Sequence, residues 1–119
     1  MKGKVVHFEI LGNDAEALQK FYGSIFEWEF DTNNPIGYGI VKNTGEGGIG
    51  GGIGNTDEGG KPHATFYIEV DNIQSHLDRI VEMGGKIVIH ETKIPGMVIF
   101  ALFKDIEGNT VGLVKSESH

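Results

Sequence analysis

The sequence predicts an α+β fold: two βαβββ modules in tandem, forming a curved mixed sheet around a cleft. Three observations carry that expectation. Val6-His7-Phe8-Glu9-Ile10 followed by Asn13-x-x-Glu16 returns 58 positions later as Ala64-Thr65-Phe66-Tyr67-Ile68 followed by Asp71-x-x-Gln74. A unit repeated at that period reads as a duplicated module. Within each copy the apolar spacing changes from that of a strand to that of a helix and back again. Turn-forming residues then divide the rest into short pieces.

The elements follow in order. Lys4 to Leu11 reads as a strand, with Val6, Phe8 and Ile10 on one face and His7, Glu9 and Leu11 on the other. Asn13 with Glu16 resembles a capping box, and Ala15, Leu18, Phe21, Tyr22 and Ile25 continue at helical spacing. Gly23 weakens that helix near its end. Trp28 to Phe30 starts a second strand, Asn33-Asn34-Pro35 makes a turn, and Tyr38 to Lys42 is a third strand. Gly47 to Gly54 reads as a glycine-softened fourth strand or a mobile flap, with only Ile49 and Ile53 as sizeable side chains. Residues 1–54 thus form the first module and 55–61 a polar linker. Residues 62–119 form the second module of what reads as one domain. There, His63 to Val70 is a strand, and Asp71 caps a helix carrying Ile73, Leu77, Ile80 and Val81. Gly84-Gly85 ends that helix. Three strands follow: Lys86 to His90, Met97 to Phe103, and Thr110 to Val114. Turns at Ile94-Pro95-Gly96 and Asp105-Ile106-Glu107-Gly108-Asn109 separate them.

Composition narrows the function. The 119 residues suit one domain with a core of its own. There is no cysteine, which removes disulfides, thiolate metal sites and a cysteine nucleophile, and which fits a reducing, cytoplasmic compartment. No run reaches the length of a membrane span and no secretory pattern opens the chain. A formal charge of −7 disfavours nucleic acid or an anionic membrane as partner and suits a neutral or cationic small molecule.

Taken together, Val6-His7-Phe8-Glu9-Ile10, Phe21-Tyr22-Gly23 with Phe26-x-Trp28, Ile94-Pro95-Gly96 and Asp105-x-x-Gly108-Asn109 resemble the vicinal oxygen chelate superfamily. That superfamily contains glyoxalase I, extradiol dioxygenases and bleomycin-resistance proteins. The resemblance implies paired βαβββ modules and a homodimer. In metal-dependent members it implies a divalent ion held by histidines and glutamates from the first and last strands of each module.

Carried over residue by residue, the first-strand ligand is His7, which matches. Its counterpart 58 positions on is Thr65, a poor donor for zinc, nickel or iron. The last-strand carboxylate falls at Gly112, and its first-module equivalent falls within Gly50 to Gly54. One of four usual ligands is present, whereas a stable catalytic site needs about three. The expectation is therefore no cofactor, with a divalent metal on His7 as the alternative. A displaced set of His7, His63 and Glu9 or Glu69 would resemble a two-histidine, one-carboxylate centre. His76, His90 and His119 read as surface residues.

His7, Glu9, Thr65, Tyr67 and Glu69 form the candidate ligand-binding set, with Glu9 placed to tune the imidazole of His7. The aromatic residues Phe21, Tyr22, Phe26 and Trp28 read first as core. Gly45-x-Gly47-x-x-Gly50 formally matches a dinucleotide fingerprint, but no helix pattern follows to hold a pyrophosphate. Three functions compete: a small-molecule binding protein of the bleomycin-resistance kind, a metal-dependent lyase, isomerase or dioxygenase, and a metal-free enzyme using His7 with Glu9 as base.

Overall fold

The computed structural model describes residues 2–115. Its elements run β1 (Lys4–Gly12), α1 (Ala15–Phe26), β2 (Gly39–Val41), β3 (Gly50–Asn55), β4 (His63–Val70), α2 (Ile73–Glu82), β5 (Lys86–Ile94), β6 (Val98–Lys104) and β7 (Thr110–Lys115). The fold is α+β, with a strand–helix–strands module in each half. The chain divides into two compact units. One is Val6–Thr65, and the other holds the described residues on either side of it.

In the Val6–Thr65 unit β1 lies parallel to β3, with His7 opposite Gly50, Glu9 opposite Gly52 and Leu11 opposite Gly54. β2 runs antiparallel on the other side of β3. Helix α1 packs on β3, where the Gln19 side-chain amide donates to the Ile53 carbonyl at 2.9 Å. Ala15, Val41 and Ile53 are its buried apolar side chains. The predicted strand at Trp28–Phe30 does not form; a single bridge between Asp31 and Ile40 takes its place. Aromatic packing explains the loss. The Trp28 ring sits 5.3 Å from that of Phe8 and 5.8 Å from that of Tyr22, and so draws the segment away from the ladder.

In the other unit β4 is parallel to β7, β6 is antiparallel to β7, and β5 is antiparallel to β6. Helix α2 buries Ile73 and Leu77 against Val70, Ala101 and Leu113, with Ile68, Ile80, Ile87, Ile99 and Phe103 packed around them. β5 extends to Ile94, four residues beyond the expected end, because β6 pairs along its whole length through two register shifts.

Both caps lie one residue later than the sequence pattern suggests. Asp14, not Asn13, caps α1 by accepting from the Ala17 N–H at 3.0 Å. Asn72, not Asp71, caps α2 by accepting from the Ser75 N–H at 2.9 Å. Each true cap is a short side-chain acceptor, as this position requires. The two caps are again 58 apart, so the repeat itself is intact. The helical apolar stripe of α1 is less buried than its spacing suggests. Phe21, Ile25 and Phe26 are exposed, while Leu18 and Tyr22 are half-buried.

Candidate functional site

β1 sets the first two site residues. Strand alternation puts His7 and Glu9 on the same face, as expected. Between them lies a residue that the sequence reasoning missed. The Tyr38 hydroxyl is 2.9 Å from His7 Nε2 and donates to Glu9 Oε2 at 2.9 Å. The Tyr38 and His7 rings are nearly parallel, 19° apart, with centroids separated by 6.1 Å.

The direction of the chain of hydrogen bonds follows from proton count. A phenol carries one O–H, and that proton goes to Glu9. The contact with His7 therefore needs His7 Nε2–H as donor, with the phenol oxygen accepting. Burial lowers the His7 pKa from 6.5, which favours the neutral ring. With Tyr38 donating to Glu9, a neutral His7 that donates to the phenol carries its proton on Nε2.

Two local features hold Tyr38 in place. The Asn34 side chain grips its backbone from both ends: Oδ1 accepts from the Tyr38 N–H at 2.9 Å and Nδ2 donates to the Tyr38 carbonyl at 2.6 Å. Glycines on β3 then make room for the ring. A Cβ built on Gly52 would clash with the hydroxyl-bearing edge of the Tyr38 ring, and one on Gly54 would lie 2.7 Å from Tyr38 Cδ1. This explains the run of glycines at alternate positions. Of the two expectations for this stretch, strand or flap, the strand is what forms, Gly50–Asn55, with Gly51 to Gly54 buried.

The other unit repeats the device. Tyr67 is paired with Gly112, and a Cβ on Gly112 would overlap the Tyr67 ring. Tyr67 lies 58 positions after Glu9, so Gly52 is the first-module counterpart of Gly112 by register. Glu69 is half-buried two residues further along β4, and Thr65 is half-buried two residues before Tyr67. The structure therefore joins His7 and Glu9 directly through Tyr38. Thr65, Tyr67 and Glu69 share a strand face of β4.

The residues present do not fit the metal centre that the fold suggests. Among the described residues no group of three or more His, Cys, Asp or Glu side chains lies together. His63 is exposed and its Nδ1 is 2.8 Å from the Lys61 carbonyl oxygen, so the displaced centre is not assembled. The two carboxylate positions are glycines overlain by tyrosine rings. His7 Nε2 is engaged with Tyr38.

A second feature of the Val6–Thr65 unit is an open groove of about 740 Å³. It is lined by Phe26 to Asp31 on one side and by Ile40 to Gly45 on the other. The two segments meet at the Asp31–Ile40 bridge and separate beyond it. Its walls carry the Trp28 ring and three carboxylates, Glu27, Glu29 and Asp31, against the single ammonium of Lys42. Trp28 is half-buried: it packs against Phe8, Tyr22, Phe26 and Phe30 and also borders the groove. The groove does not include His7, Glu9 or Tyr38. The Gly45-x-Gly47-x-x-Gly50 stretch leads from its edge into β3, with no helix after it.

Comparison with known proteins agrees with this architecture. The profile of the Glyoxalase/Bleomycin resistance protein/Dioxygenase superfamily matches residues 4–113, and the chain belongs to that superfamily. It is 31% identical over 117 residues to a glyoxylase-like domain-containing protein of Didymella fabae, covering 92% of this chain and 91% of that one. It is 30% identical over 112 residues to the glyoxylase-type protein CFP32 of Mycobacterium bovis; the match takes in 89% of this chain but only 43% of that longer protein. Among solved structures it resembles methylmalonyl-CoA epimerase of Mycobacterium tuberculosis, with a TM-score of 0.70 at 13% identity over 96% of this chain and 88% of the other. At that identity the likeness concerns fold.

Proposed function

We propose that this chain acts as one domain that binds a small molecule without a resident metal ion. The observation that carries this reading is the His7–Tyr38–Glu9 chain of hydrogen bonds, in which one phenol hydroxyl links the imidazole and the carboxylate of β1. The proposed ligand-binding residues are His7 and Glu9, linked by Tyr38, and, on β4, Thr65, Tyr67 and Glu69. A separate groove beside Trp28, which none of these residues lines, has a volume within the usual range for small-molecule sites. Its carboxylates and indole favour a ligand that is cationic, aromatic or both. We further propose a cytoplasmic homodimer with no nucleic-acid or membrane partner. The acidic charge and the lack of any long apolar helix among the described residues support the latter part. The exposed side chains of Phe21, Ile25 and Phe26 on α1 offer a surface for a second copy.

Calorimetry of the purified protein against a panel of cationic and aromatic metabolites tests the reading, with His7→Ala and Trp28→Ala as controls. Binding that weakens about tenfold or more in either variant supports it. No binding across the panel by a well-folded protein counts against it. Light scattering decides the dimer.

A second reading has one observation behind it. His7 Nε2, Tyr38 Oη and Glu9 Oε2 converge, which suits a divalent-metal lyase, isomerase or dioxygenase using His7 as ligand, provided Tyr38 is displaced or ionised. Elemental analysis of protein purified without chelators separates the two: one metal ion per chain, lost on His7→Ala, would establish the second.

A further inference from the structure

Resting on the metal-free reading, we infer that Tyr38 and Gly52 are a coupled replacement for the carboxylate arm of a chelating site. The phenol of Tyr38 is then a working member of the site, equal in rank to His7 and Glu9. Register supplies the first step. The resemblance places the last-strand carboxylate of the second module at Gly112; Gly112 pairs with Tyr67 as Gly52 pairs with Glu9, 58 positions earlier, which makes Gly52 the equivalent position in the first module. The second step is steric. Any side chain at 52 projects onto the face shared by His7 and Glu9, and its first carbon already clashes with the hydroxyl-bearing edge of the Tyr38 ring. Tyr38 in its present place and a carboxylate at 52 exclude each other.

The third step concerns hydrogen bonding. Without Tyr38, the imidazole and the carboxylate of β1 would lack the group that now links them. A cation would satisfy both, and a phenol does so as well, because it donates to one and accepts from the other. With its proton on Nε2, His7 offers no lone pair to a cation on the side that faces Tyr38 and Glu9. Asn34 completes the arrangement as a positioning residue, since it grips both backbone groups of Tyr38 and touches neither His7 nor Glu9 through any hydrogen bond of its own. That the same tyrosine-over-glycine packing recurs at Tyr67 and Gly112 argues that the glycines are the condition for the rings.

A double-mutant cycle tests the coupling. Gly52→Ala is made in the parent and in Tyr38→Ala, and melting temperatures are compared. In the parent the expected loss is roughly 4 °C or more. In Tyr38→Ala the same substitution is expected to cost less than half as much. The His7 tautomer is read by nitrogen-15 NMR in the parent and in Tyr38→Phe, where the ring stays and only the hydroxyl goes. The Nε2–H form is expected to dominate in the parent and to lose that dominance in the variant. Finally, zinc alone is titrated into the parent and into Tyr38→Ala/Gly52→Glu, with at least a tenfold tighter affinity expected for the double variant.

Equal cost of Gly52→Ala in both backgrounds overturns the coupling. So does stoichiometric zinc in the parent that disappears in Tyr38→Phe, which would make the phenol a ligand. If Gly52→Glu fails to fold in either background, the alanine cycle and the tautomer still decide. These results are independent of the metabolite panel. An empty panel with an intact cycle would end the binding reading and leave the replacement standing; the reverse outcome would do the opposite.

Discussion

The two units share a topology and differ in what fills them. The unit built on β4 has an aliphatic core: Val70, Ile73, Leu77, Ala101 and Leu113 close around α2. The Val6–Thr65 unit has few buried aliphatic side chains, and its interior is organised by aromatic rings lying on or beside a glycine strand. Phe8 lies over Gly51, Tyr38 over Gly52, and Trp28 packs against Phe8, Tyr22, Phe26 and Phe30. The comparison teaches that one topology can be filled by aliphatic burial in one copy and by aromatic rings and a polar chain in the other. The polar chain His7–Tyr38–Glu9 belongs to the second kind of copy.

If that division is real, the largest loss of stability comes from the aliphatic core. Leu77 is fully buried, and Leu77→Ala is expected to cost about 2–5 kcal/mol through lost transfer energy and the cavity left behind. Phe21, 57% exposed on α1, should lose no more than roughly 0.5 kcal/mol on truncation to alanine. Urea unfolding of both variants reads the contrast directly. Similar costs for the two would mean that the aliphatic cluster does not anchor its unit.

Overfilling comes next. Gly112→Ala puts a carbon inside the ring of Tyr67, which is itself mostly buried, so the ring has little room to move away. The expected cost is about 1–3 kcal/mol. A cost near zero in the same unfolding experiment would show that the ring relaxes freely. The tyrosine-over-glycine pairing would then carry no structural weight in this unit.

These contrasts also show what a sequence can and cannot state. The repeat at 58, both helices and the strand His63–Val70 were legible, because apolar period and turn residues report them locally. The caps were misplaced by one residue in both modules for a single reason. Asn13 and Asp14, like Asp71 and Asn72, are adjacent residues of equal capping ability, so the Glu and Gln partners three positions on decided wrongly. His7 and Glu9 were legible from strand alternation. Tyr38 was not, because it reaches the site from the turn before β2 and its partners are 31 and 29 residues away in sequence. One signal was available. Glycines at 50, 52 and 54 all fall on the face of His7 and Glu9, and such a bare face implies a ring laid across it. The lost strand at Trp28–Phe30 was beyond reach, since β-propensity there competes with long-range ring packing.

A finer test concerns how the site copy holds its tyrosine. Asn34→Ala removes two hydrogen bonds to the Tyr38 backbone while leaving every group of the polar chain in place. It also removes the 3.3 Å bond from the Ile36 N–H, and the expected loss is about 1–2 kcal/mol, from three bonds of ordinary or weak net strength in a partly exposed turn. The tautomer of His7 should lose its bias along with that stability. Unchanged His7 resonances in a destabilised Asn34→Ala protein would reduce Asn34 to a plain turn former.

The smallest expected effect is in pH, and it separates the two units by where acid acts on each. His7 has its pKa lowered from 6.5 by burial. Between 6.5 and that lower value the unfolded chain binds more protons than the native one, so stability rises with pH across the window. The contribution of neutral His7 is complete above 6.5 and is lost as pH falls through the native value. Asp105, in the turn between β6 and β7, behaves differently. Its carboxylate accepts from the Asn109 side chain and from the backbone N–H groups of Glu107 and Asn109, all at 2.9 Å, and these bonds lower its pKa from 3.8. Its contribution is complete above 3.8 and fades only below it. Urea midpoints measured from pH 7.5 to 3 should therefore fall in two stages. His7→Gln should flatten the first stage and Asp105→Asn the second, each leaving the other intact. If His7→Gln leaves the fall just below pH 6.5 unchanged, the imidazole is not held neutral by the fold. The hydrogen bond from Nε2 to Tyr38 would then not require a neutral ring.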